Sequence, residues 1–125
     1  MNQRVNRIRQ ILVALVMIAA VVGFSSCEKY SYTPPAVDPN TTLHFQTDIQ
    51  PIFNSNCVSC HGGTQSPNLS SGKSFAVLKN GGFVKLPAET SRLYLKMNSS
   101  SHISKSTETD RLKVLYWITQ GALNN

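Results

Sequence analysis

The sequence predicts a small all-α domain, and three observations carry that prediction. In the C-terminal two-thirds, apolar residues recur three and four positions apart, as they do on one face of a helix. No stretch alternates apolar and polar residues in the manner of a half-buried strand. Residues that start and stop helices stand at the ends of the periodic segments. A chain of 125 residues has room for one small domain, which excludes an enzyme built from separate cofactor and substrate domains.

Residues 1–26 read as an export signal. Arg4, Arg7 and Arg9 precede an unbroken apolar run from Ile11 to Val22, and small residues follow at Gly23, Ser25 and Ser26. A basic start, a short apolar run and small residues before a cleavage point describe a secretory signal peptide. The run is shorter than the roughly 20 residues a membrane span needs, although a bare N-terminal anchor helix is the alternative. Phe24-Ser25-Ser26-Cys27 resembles a bacterial lipoprotein box, loosened at its first position, where leucine is usual. That resemblance implies that Cys27 is diacylated and becomes the first residue of the mature chain. More than one acyl chain gives stable anchoring to a membrane. Residues 27–41 hold Pro34, Pro35 and Pro39 and show no periodicity, so they read as an extended tether.

The domain then covers residues 42–125, with about four short helices. Thr47 can cap the first, which carries Ile49, Ile52 and Phe53 on one face and admits Pro51 in its first turn. The second runs from Lys73 to Lys79 and is stopped by Asn80-Gly81-Gly82. Ser91 can cap the third, with Leu93, Tyr94 and Met97 on one face. Thr107 and Asp110 approximate a capping box for the fourth, in which Val114 and Ile118 repeat at i+4 and Gly121 ends the helix.

Composition says that this domain lacks something. The chain is 41% apolar, but 17 of the apolar residues fall within the first 27 positions. What remains is a thin core, and domains of this size usually need a staple. Charge is misleading in the same way. The net +6 includes Arg4, Arg7 and Arg9, and from Glu28 onward nine Lys+Arg face six Asp+Glu, a net of +3. A nucleic-acid partner has no support.

Cys57-Val58-Ser59-Cys60-His61 supplies a staple. C-x-x-C-H is the attachment signature of c-type haem. On one helical turn, side chains at i, i+3 and i+4 share a face. Cys57 and Cys60 can therefore each bond one vinyl group of a single haem, while His61 offers a ring nitrogen to the iron. A Cys57–Cys60 redox pair leaves His61 without a role and has no βαβ pattern around it. A zinc site needs four suitably spaced ligands, and adjacent Cys60 and His61 rarely serve one tetrahedral ion.

Asp48-Ile49-Gln50-Pro51-Ile52-Phe53, the C-x-x-C-H-Gly62-Gly63 run, and Trp117-Ile118-Thr119-Gln120-Gly121-Ala122 together resemble small bacterial monohaem cytochrome c domains of class I-like fold. Such domains are often fused to lipoprotein signals in Bacteroidetes-type bacteria, and the likeness covers about residues 43–125. It implies one covalent haem c, first and last helices crossing beside it, and Ile52, Phe53, Val114 and Trp117 as haem contacts. It also implies that the Pro67 carbonyl accepts the second ring N–H of His61.

The distal ligand stays open. Relatives place a methionine in a Met-Pro-Pro-like loop before the last helix, whereas this loop reads Asn98-Ser99-Ser100-Ser101-His102-Ile103-Ser104-Lys105-Ser106. His102 is one candidate for the iron, and Met97 is another, although its helical spacing also suits a core residue. An open or water-occupied position is the third possibility. His44 reads as a surface residue.

The expected function is electron transfer by a membrane-anchored cytochrome rather than enzymatic catalysis. Its implied partners are redox proteins and the membrane, with the chain a monomer or a component of a membrane complex. Its expected location is exported and lipid-anchored, at the outer membrane of a bacterium, facing the periplasm or the surface. Three alternatives are a peroxidase-like haem site, a five-coordinate sensor, and a haem-stapled binding or assembly module.

Overall fold

A computed structural model describes residues 2–23 and 37–125. Cys27, and with it residues 27–36 of the expected tether, lie outside the described residues. Among those described, every regular element is helical and there is no strand, so the all-α expectation holds.

The N-terminal unit contains helix α1, Asn2–Gly23. It begins in the basic segment and continues through the apolar run. No helix among the described residues is long and apolar enough to cross a membrane.

The C-terminal unit holds five further α-helices among the described residues: α2 (Gln50–Asn56), α3 (Val58–His61), α4 (Ser74–Asn80), α5 (Arg92–Met97) and α6 (Glu108–Thr119). A wide π-helical turn, Phe45–Ile49, leads into α2, and short 3-10 turns at Ala88–Thr90 and Ile103–Lys105 precede α5 and α6. The additional α-helix relative to the sequence expectation is α3. It separates from α2 at Cys57, whose φ of −121° breaks the helical path while its N–H still donates to the Phe53 carbonyl at 2.9 Å.

Two expected caps are corrected. Thr47 lies inside the π turn, where its hydroxyl donates to Asp48 Oδ2 at 3.2 Å, and that carboxylate accepts the His44 N–H at 2.8 Å. Ser91 does occupy the N-cap position of α5, yet its side chain caps nothing. Its hydroxyl instead donates to the Phe83 carbonyl at 2.7 Å, tying the chain after α4 to the start of α5. The second expected helix also shifts by one residue, beginning at Ser74 and ending at Asn80. Gly82, at φ +63°, makes the turn that follows.

Other local expectations are present as drawn. Pro51 stands in the first turn of α2, where its missing N–H costs least. The capping box of α6 is complete: Asp110 N–H donates to Thr107 Oγ1 at 3.1 Å, and Thr107 N–H donates to Asp110 Oδ2 at 3.0 Å.

One cluster of fourteen buried apolar residues holds these helices together. At its centre Phe45 packs its ring against Trp117 and Phe75, each with centroids 5.2 Å away, and so joins the π turn to α6 and α4. Val114, Trp117 and Ile118 of α6 are fully buried against it. Inside this core a polar group fixes α2. Gln50 donates through Nε2 to Asn54 Oδ1 at 2.8 Å and to the Leu69 carbonyl at 3.1 Å, and its Oε1 accepts from the Ser74 hydroxyl. Buried polar groups bonded on both sides cost little and specify a single packing. Here they lock α2 to α4 and to the chain that returns from the C-x-x-C-H segment.

Candidate functional site

The C-x-x-C-H segment opens onto a cavity of about 760 Å³. Cys57 is half-buried where α2 meets α3, and Cys60 is exposed on the same turn. The His61 N–H donates to the Cys57 carbonyl at 2.9 Å, which closes the turn and brings all three side chains to the cavity wall. The loop after them returns at once, because Leu69 N–H donates to the His61 carbonyl at 2.7 Å. That return sets Pro67 beneath the histidine, with His61 Nδ1 3.1 Å from the Pro67 carbonyl oxygen. A carbonyl can only accept, so Nδ1 donates, and in the neutral tautomer this leaves the lone pair on Nε2.

Across the cavity stands His102, carried on the loop between α5 and the 3-10 turn. Its ring centroid is 6.4 Å from that of His61, with the ring planes 39° apart. Met97 lines the same cavity from the C-terminal end of α5, where it is buried as part of the core cluster. Both candidates for the second ligand position therefore reach the cavity. His44 does not: it is exposed and its backbone caps the π turn.

The walls are apolar. Phe53 and Leu69 come from the core beneath α2, and Phe83, Leu93 and Leu95 from the other side. Of the four side chains expected as cofactor contacts, only Phe53 lines the cavity. Ile52, Val114 and Trp117 are buried behind it, where they support the wall without touching the space.

Arg92, Lys96 and Lys105 also line the cavity, and no carboxylate does. Such a cavity favours a group that is largely apolar and carries negative charge. Arg92 is further oriented by stacking over the Phe83 ring, 4.5 Å from its centroid. The sequence alone does not reveal this cationic lining. The i, i+4 spacing of Arg92 and Lys96 was the available signal, but α5 also needs solvated positions, so spacing alone could not tell the two uses apart.

Electrostatics divide the titratable groups. Burial pushes the Cys57 thiol up to about 11, and the Asp110 carboxylate adds to the effect. Both causes disfavour the thiolate. His102 shifts the other way, lowered first by burial and then by Lys96, His61 and Lys105. Each of these causes favours the neutral ring over the imidazolium. Cys57 and Cys60 form no disulfide. Among the described residues no three His, Cys, Asp or Glu side chains are grouped to hold a metal ion, so the tetrahedral zinc alternative finds no ligand set.

No family model, no curated protein and no solved structure matches the chain.

Proposed function

We propose that the chain is a membrane-anchored monohaem c-type cytochrome that transfers electrons. One observation carries the reading: two cysteines and a histidine on a single turn face one apolar cavity with a cationic lining and no carboxylate. A volume of about 760 Å³ lies within the range of about 300–1,000 Å³ typical of cofactor sites. Haem is a flat apolar body with two propionates, which matches walls of Phe53, Leu69, Phe83 and Leu93 beside Arg92, Lys96 and Lys105.

Cys57 and Cys60 hold the group through thioethers. Each forms by addition of S–H across a vinyl double bond, with no net oxidation or reduction. His61 binds the iron through Nε2, and the Pro67 carbonyl fixes its tautomer and ring orientation. When bound, haem supplies a reversible one-electron couple. The protein's own residues would pack against the apolar body of the haem, place cations near the propionates and hold the Cys57 thiol protonated. Acylation of Cys27 would place this domain at a membrane within reach of redox partners.

Expression beside a haem-maturation system tests the proposal. The expected product keeps its haem through denaturing electrophoresis, and Cys57→Ala with Cys60→Ala abolishes that retention. A colourless product, or a zinc-containing one, overturns the reading. Labelled fatty acid incorporated into the wild type and lost from Cys27→Ala tests the anchor.

A further inference from the structure

We infer that His102 is the second axial ligand, opposite His61, and that Ser99 and Ser101 position it. This inference rests on the haem reading above and assigns the ligand that the sequence leaves open.

The direction of a hydrogen-bond chain decides the chemistry of the ring. The Ser99 hydroxyl lies 2.7 Å from the Lys96 carbonyl, which can only accept, so Ser99 spends its proton there. The contact between Ser99 and Ser101 oxygens, at 3.2 Å, must then use the proton of Ser101. With its proton committed, Ser101 Oγ can only accept from His102 Nδ1, 2.9 Å away. His102 therefore donates from Nδ1, and in the neutral ring the lone pair falls on Nε2. The Pro67 carbonyl dictates the same state for His61. Two rings lining one cavity thus have matching tautomers, each set by a neighbour and each with Nε2 unengaged.

Their separation fits a shared metal. Imidazole–metal bonds of about 2.0–2.1 Å, and about 1.1 Å from each nitrogen to its ring centre, put two opposed rings roughly 6.3 Å apart. The observed separation is 6.4 Å. Rotation about the ligand axis leaves that distance unchanged, so the 39° between planes is no obstacle. Met97 is engaged differently. It is 7% exposed, lies one turn after buried Leu93, and belongs to the core cluster. Such a methionine packs, and drawing it out would open a gap beneath α5.

Optical and magnetic spectra of the haem-loaded protein test this apart from the haem reading. The wild type is expected to be low-spin and six-coordinate in its ferric form. His102→Ala should lose the low-spin signal, gain a high-spin one and bind cyanide quickly, and added imidazole should restore the original spectrum. Met97→Leu, which preserves packing, should leave the spectrum unchanged. Ser101→Ala should raise the reduction potential, because a ring that no longer donates from Nδ1 is a poorer partner for ferric iron, and Ser101→Thr should reverse the shift. Covalent haem with an unchanged low-spin spectrum in His102→Ala overturns this inference and leaves the haem reading standing. So does a high-spin wild type, or loss of the low-spin signal in Met97→Leu. No covalent haem in the wild type overturns both.

Discussion

Asn56 and Asp110 meet across the fold, the Asn56 amide donating to Asp110 Oδ2 at 3.4 Å. This contact links the last residue of α2, next to the C-x-x-C-H turn, to the first turn of α6. Asp110 thus has three tasks at once: it completes the capping box, it receives Asn56, and its charge bears on the Cys57 thiol. The helix that closes the chain is in this way coupled electrostatically to the candidate site.

Asp110→Asn should separate these tasks. The cap weakens, because the amide is a poorer acceptor for the Thr107 N–H and brings no charge to the helix N-terminus. A loss of about 1 kcal/mol is expected in denaturant unfolding. In the haem-free chain the Cys57 thiol should also become more acidic, although only in part, since burial is the larger cause of its shift. The pH dependence of alkylation at Cys57 reads that change directly.

The raised Cys57 value has its own consequence for the haem-free protein. With the thiol moved from 9.0 to about 11, its thiolate population at pH 8 is about 100-fold below that of an unperturbed cysteine. Exposed Cys60 should therefore be alkylated first by iodoacetamide, as peptide mapping would reveal. Stability follows in sign. Between pH 9 and 11 the unfolded chain releases this proton while the folded chain keeps it, so rising pH favours unfolding. Solvent screening keeps the loss small for this half-buried thiol, and Cys57→Ala should remove it from urea titrations taken across that range.

Gly62 is a third point of test. A Cβ added there would stand 2.7 Å from the Val58 carbonyl oxygen, a backbone atom that cannot swing away. Gly62→Ala must therefore displace the chain directly after His61. A cost of about 1–3 kcal/mol is expected by chemical denaturation, together with weaker retention of covalent haem on gels. An unchanged midpoint and full haem yield would contradict this account of the turn.

Features governed by short-range chemistry were legible in the residues. The α6 capping box needs only Thr107 and Asp110 three apart, and the place of Pro51 needs only its own missing N–H. The two misjudged caps show where such reasoning stops. Ser91 stands at a helix start, but the carbonyl of Phe83, eight residues earlier, takes its hydroxyl. Thr47 suits the start of a regular helix, whereas packing of Phe45 and Ile49 into one core accompanies a wider π turn. A side chain bonds the partner the fold brings to it, and local pattern cannot name a partner that is distant in sequence.

The candidate site divides along the same line. By itself the sequence determined that the described elements are helical and that Cys57, Cys60 and His61 share one face, because both follow from spacing along a single turn. Tertiary structure alone decided the rest. It set His102 6.4 Å from His61, lined the cavity with Arg92, Lys96 and Lys105, and moved Trp117 and Val114 out of the cavity wall into the core behind it. Each of those outcomes depends on how α5 and α6 pack around Phe45 and Phe53, and packing is a property of surfaces that meet only once the chain has folded.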